Sequence, residues 1–218
     1  MIEILGLRLA EIPTGAETML PPMLLADWRA RFPDPTRQAA QHSLGGLLLL
    51  AAAGISGPIT RESNGRPRAE DRGTDFNLTH TARHVFCAIS VSDDGTLTER
   101  VGLDAEETVL PLKGDPDRLA ARWFTEAERC VFAADPTAAQ FLRIWTRKEA
   151  MVKYTGEGLR ALACADSENV ALRGLRLCAY ETDGALLTLC TLPEAHLPRS
   201  PVLLSWDALS KRISEHTK

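Results

Sequence analysis

The segment Trp145-Thr146-Arg147-Lys148-Glu149-Ala150-Met151-Val152-Lys153-Tyr154-Thr155-Gly156-Glu157-Gly158-Leu159 reads as the end of a long helix with its stop signal attached. Upstream, Asp135 suits an N-cap and Pro136 a first helical position, where a missing N–H costs nothing. Gly156 and Gly158 supply the residues that leave a helix through a left-handed turn. Between these ends Phe141, Ile144, Trp145 and Val152 share one side at helical spacing, so an apolar stripe faces a core. Glu149 and Lys153 stand four residues apart on the flank of that stripe. Taken alone, such a pair is a solvent-exposed ion pair worth about 0.3–0.5 kcal/mol.

A second stretch, Val101-Gly102-Leu103-Asp104-Ala105-Glu106, gives the pair more weight. Read as a strand, it puts Val101, Leu103 and Ala105 on one face and Gly102, Asp104 and Glu106 on the other. Two carboxylates then project side by side and repel, and a cation is the natural compensation. An edge strand with a solvated acidic face is the simpler alternative.

Working outward, Ile2 to Ile12 alternates as a strand, and Pro21-Pro22 opens a short helix over Met23 to Arg31. Thr36 caps a second helix running to about Ala53, apolar in its C-terminal half, with Gly54 as its stop. Arg61 to Arg72 is a surface loop by composition, with a turn at Asn64-Gly65 and an extended Arg66 before Pro67. Phe76 to Leu78 and Val85 to Val91 read as strands, and Ser92 to Gly95 as a turn. His80 and His84 have a spacing that binds metal on a helix, but strands flank them, so they share no helical face. Thr125 and Glu128 make a capping box, and Thr182-Asp183-Gly184 between two apolar runs signals a hairpin. Val202 to Trp206 is a last strand, and Ala208 to His216 a helical tail.

Composition sets the outer bounds. Hydrophobic content of 44% and charged content of 25% are those of a globular domain pair or one large domain. A formal charge of -4 disfavours a nucleic acid partner. The five cysteines are scattered with no C-x-x-C, and Cys87, Cys178 and Cys190 lie in apolar runs as core residues. The start of the chain lacks a signal-peptide pattern and the run Leu44 to Ile55 is too short to span a bilayer. A cytoplasmic protein without membrane association is expected.

Several of these pieces, in order, resemble the 4'-phosphopantetheinyl transferase superfamily, and more narrowly its longer, surfactin-type branch. They are Gly65-Arg66-Pro67, Phe76-Asn77-Leu78-Thr79-His80-Thr81, Val101 to Glu106, Phe124 to Glu128, and Trp145 to Ala150 with Lys153 and Gly156 to Leu159. The resemblance covers about Gly65 to Leu159. It implies an α+β fold of two similar lobes, 1–106 and 107–218, related by a pseudo-twofold axis, with coenzyme A in the cleft between them. A monomer is implied, and transfer of the phosphopantetheine arm of coenzyme A to a serine of an acyl or peptidyl carrier protein, leaving adenosine 3',5'-bisphosphate. It further implies that Asp104, Glu106 and Glu149 hold Mg²⁺, that Glu149 acts as base, and that Lys153 serves the departing phosphate. Thr79 and His80 fall on positions that grip the nucleotide 3'-phosphate, and Arg61, Gly65, Arg66 and Pro67 on the loop along the adenosine. Asp104, Lys148, Glu149 and Lys153 join the expected coenzyme contacts, with Arg37 and, more loosely, Arg29 and Arg31 as further phosphate ligands. A basic rim at Lys113, Arg118 and Arg122 suits an acidic carrier helix.

Three departures from the family pattern stand out. Arg66 replaces the usual lysine, Thr79 replaces a serine, and His42 stands where an arginine is frequent. Two other readings compete: a non-catalytic coenzyme A or nucleotide-binding relative, and a metal-dependent phosphohydrolase. The first does not need a base such as Glu149, and the second leaves Gly65-Arg66-Pro67 and Thr79-His80 unexplained. The family's shorter branch, a trimer of half-length chains, does not fit 218 residues.

Overall fold

Two antiparallel-based sheets stacked face to face, each with a long helix on its outer side, organise the computed structural model, which is described for residues 1–70, 73–92, 99–112 and 114–216. In chain order the elements are β1 (Ile2–Arg8), α1 (Pro22–Arg31), α2 (Gln38–Ala52), β2 (Ile59–Arg61), β3 (Pro67–Ala69), β4 (Thr74–His80), β5 (His84–Val91), β6 (Gly102–Glu107), α3 (Pro116–Trp123), α4 (Glu126–Ala134), α5 (Ala138–Thr155), β7 (Arg176–Thr182), β8 (Ala185–Thr191), β9 (Val202–Leu203) and α6 (Trp206–His216). Short 3-10 turns fill several connections. The turn expected at Ser92 to Gly95 lies mostly outside the described residues, as do Asp71, Arg72 and Lys113.

The first sheet runs β4-β5-β1-β9 and the second β6-β8-β7. β5 and β8 are central and buried on both faces, which is why they read as continuous apolar runs and not as alternating ones. Odd and even residues of β1 divide between two cores. Leu5 and Leu7 join α2 and α6, whereas Ile2 and Ile4 meet Leu103, Ala105, Leu187 and Leu189 of the second sheet. The β7–β8 hairpin closes through Asp183 (φ 48°) and Gly184 (φ 75°), the paired left-handed residues that a two-residue hairpin turn demands.

The two sheets are not contiguous in sequence. The division expected after Glu106 falls inside β6, which pairs with β8, while β9 and α6 from the chain's end return to the first sheet. The helix predicted from Asp135 starts later, at Ala138. Thr137 is its cap, accepting from Gln140 N–H, and Asp135 closes α4 instead. Gly156 ends α5 at φ 78°, as expected. The capping box of Thr125 and Glu128 is present at the start of α4.

One glycine fixes how α5 meets the second sheet. A Cβ on Gly102 would stand 2.2 Å from the Ala150 carbonyl oxygen and 2.6 Å from the Tyr154 nitrogen, so helix and strand touch backbone to backbone. That contact lays Glu149 and Lys153 of α5 over Asp104 and Glu106 of β6.

Candidate active site

Where the edges of the two sheets meet, β4 and β6 are joined by side chains. Asp75, Asn77 and Thr79 alternate along β4 and point the same way. Asp75 Oδ2 accepts from Val101 N–H at 2.9 Å and Asn77 Oδ1 from Leu103 N–H at 3.0 Å. The Thr79 hydroxyl donates to Asp104 Oδ1 at 3.2 Å. Lys153 completes this group: its ammonium lies 2.6 Å from Asp104 Oδ1, 3.2 Å from Thr79 Oγ1 and 3.9 Å from Glu149.

Charge at this junction is poorly balanced. Asp104 is 3% exposed, and its Oδ2 is buried without a hydrogen-bond partner. Burial, aided by the neighbouring carboxylates of Asp104 and Glu106, pushes the Glu149 carboxyl up to about 7, against the pull of Lys153. Among the described residues no three carboxylate, imidazole or thiol groups are drawn into a metal-coordinating cluster. The donor set is nonetheless hard oxygen: an orphaned Asp104 oxygen, a Glu149 carboxyl raised to about 7 chiefly by burial, and Glu106 on the same strand face as Asp104. Such a set fits a magnesium-class cation, which takes a few carboxylates plus phosphate and water.

A cleft of about 850 Å³ opens beside the junction, with Thr79, His80 and Glu106 on one wall and Leu112, Phe141 and Trp145 on another. His42, from the first turns of α2, stacks on His80 with ring centroids 4.2 Å apart. Burial is the main influence lowering both rings below the usual histidine range, and the Lys153 ammonium adds to the effect on His80. A smaller cavity of about 240 Å³ lies on the other side of Lys153, lined by Gly65, Pro67, Glu149, Leu159 and Leu162.

The remaining expected site residues divide. Arg37 caps α2 with its side chain exposed, and Arg29, Arg31 and Arg61 are also exposed, Arg61 donating to the Gly65 carbonyl at 2.7 Å. Arg118 and Arg122 lie exposed on α3, with the Arg122 guanidinium over the Trp123 ring at 4.7 Å.

Two residues depart from expectation. Lys148 does not face the cleft. It is completely buried and bound to Glu128 at 2.5 Å and to the Ala165 carbonyl, because one residue of helix turns it about 100° from Glu149. Arg66 is also buried. Its fork spans both Asp75 oxygens at 2.7 Å and reaches the carbonyls of Val101 (2.8 Å), Phe76 (3.2 Å) and Lys153 (3.3 Å). Its hydrogen bonds are thus spent tying the loop to β4, β6 and α5. Sequence reasoning missed Asp75 and Asn77, although their period-two spacing with Thr79 was there to be read. It also missed His84, whose partners come from distant parts of the chain.

A family model described as the 4'-phosphopantetheinyl transferase superfamily matches residues 100–186, which hold β6, α5 and most of the second sheet. The chain is 31% identical over 189 residues to the 4'-phosphopantetheinyl transferase AcpT of Salmonella typhi, covering 84% of this chain and 90% of that protein. AcpT of Salmonella typhimurium is 30% identical over the same shares. The 4'-phosphopantetheinyl transferase HetI of Nostoc sp. is 34% identical over 108 residues, 46% of this chain and 42% of HetI.

Proposed function

The chain belongs to the 4'-phosphopantetheinyl transferase superfamily and is an enzyme of that class, and from that premise we propose that it moves the phosphopantetheine arm of coenzyme A onto a serine of an apo acyl or peptidyl carrier protein. Adenosine 3',5'-bisphosphate is the other product. The observation that carries this reading is the meeting of Lys153, Asp104 and Glu149 beside the cleft, with one Asp104 oxygen unpartnered and Glu149 held near neutral pKa. A group with that pKa is matched to taking a proton at physiological pH.

In this reading Glu149 accepts the proton of the carrier serine as its oxygen attacks the phosphorus bearing the pantetheine arm. The bond from that phosphorus to the adenosine bisphosphate oxygen breaks, and Lys153 meets the charge that develops there. Asp104, Glu106 and Glu149 are the residues to hold Mg²⁺, which when bound neutralises the pyrophosphate oxygens. Thr79 and His80 grip the nucleotide end, and the Gly65–Pro67 turn lies along the adenosine through its backbone.

We place the two sheets and their helices as two lobes about a pseudo-twofold axis, acting as a monomer in the cytoplasm. We propose the longer, surfactin-type branch on the ordered motifs from Gly65 to Leu159 and on a chain of 218 residues. Mass spectrometry of an apo carrier incubated with the protein, coenzyme A and Mg²⁺ tests the proposal: one added phosphopantetheine is expected. Unmodified carriers across a panel of acyl and peptidyl types would sink it, and coenzyme A binding without transfer would favour the non-catalytic relative.

A further inference from the structure

His84, at the start of β5, is fully buried, yet carboxylates stand at both edges of its ring. Nδ1 is 3.0 Å from Glu107 Oε1, at the end of β6, and Nε2 is 2.8 Å from Asp183 Oδ2, in the β7–β8 turn. Asp183 is ionised, because hydrogen bonds from Arg8 and His84 hold its carboxyl down to about 2. Arg8 and Arg83 also reach Asp183, at 2.7 and 3.9 Å, and Arg83 lies 3.5 Å from Glu107. The Thr81 hydroxyl donates to Glu107 at 2.5 Å, and Phe86 stacks on the ring at 5.4 Å.

We infer that His84 is a positioning residue: with its ring held between Glu107 and Asp183, it fixes the rotation of β6 and thereby aims Asp104 and Glu106 at Glu149. Glu107 lies on the strand face opposite Asp104 and Glu106, with Leu103 and Ala105, turned toward the first sheet. Holding it there keeps the two acids facing α5, since a strand that slips by one residue presents its other face. The tie also joins β1 and β5 of the first sheet to β6 and the hairpin of the second.

This inference rests on reading Asp104, Glu106 and Glu149 as metal-holding, and its test separates the two. Mn²⁺ binding, followed by electron paramagnetic resonance, is compared between the full chain and His84→Gln. Mn²⁺ affinity in His84→Gln is expected to fall roughly tenfold, the usual penalty for losing a group that orients metal ligands. Transfer at saturating metal should recover most of its kcat, which a general loss of folding would not allow. If His84→Gln does not fold, Asp183→Asn carries the test, with a smaller loss in the same direction. Unchanged Mn²⁺ affinity in a folded variant overturns the inference alone. Wild-type protein that binds no Mn²⁺ overturns the metal reading and the inference together.

Discussion

Lys148 and Lys153 sit five residues apart on α5, and their surroundings are opposites. Lys148 is sealed in a closed network. Glu128 takes its proton-bearing end, Ser167 supplies two donors to the other Glu128 oxygen at 2.7 and 2.8 Å, and the Ala165 carbonyl completes the shell. Lys153 is about a quarter exposed and faces three oxygens, one of them on an aspartate whose second oxygen has no partner. One side of the helix satisfies its polar groups and gains rigidity, and the other leaves hydrogen-bonding capacity unused. Capacity left open beside a cleft is what a ligand can fill.

Four experiments break or sharpen that contrast. On the open side, Glu149→Gln should cut carrier modification by 10²–10⁴-fold, the range lost with a general base, while coenzyme A binding measured by calorimetry persists. Retained activity would remove Glu149 as base. On the closed side, Lys148→Met should cost about 3–5 kcal/mol in urea unfolding, because Glu128 is left buried and unpaired. Adding Glu128→Leu should return much of that loss, and a single variant as stable as wild type would refute the closed-network view. Gly102→Ala should cost about 1–3 kcal/mol by forcing α5 off β6, and should depress transfer as well. An unperturbed melting temperature would mean that the contact can relax. The smallest effect concerns acid. The Asp183 carboxyl lies below its ordinary value, so its contribution is present above pH 3.8 and fades as pH falls toward 2. Asp183→Asn should flatten that part of a melting-temperature profile, and a superimposable profile would contradict the pairing.

Much of this was legible in the sequence where the signal is local. The Gly156 stop, the Thr125–Glu128 box and the Asp183-Gly184 hairpin are each set by neighbours in the chain. The alternation in Val101 to Glu106 correctly put Asp104 and Glu106 on one face, and helical spacing put Glu149 beside Lys153. What stayed hidden depends on distant partners. Lys148 gave no hint of a bond to Glu128, twenty residues earlier, and Arg66 none of a fork on Asp75. The spacing of His80 and His84 argues only against a shared metal, and nothing local points to the partners of His84, Glu107 and Asp183, which lie 23 and 99 residues away. The helix start was misjudged because two caps, Asp135 and Thr137, flank Pro136, and residue preference alone does not rank them.

The seam between β4 and β6 carries a mechanical consequence. Across it run side-chain bonds from Asp75, Asn77 and Thr79, where neighbouring strands of each sheet have full backbone ladders. β6 and α5, locked at Gly102, behave as one stiff jaw carrying all three acids and Lys153. The opposing jaw bears Thr79, His80 and His42. A substrate pressing into the cleft therefore meets a seam held by side-chain bonds, those of Asp75, Asn77 and Thr79 with those of Arg66 to Val101 and of Thr81 and His84 to Glu107, rather than by a backbone ladder.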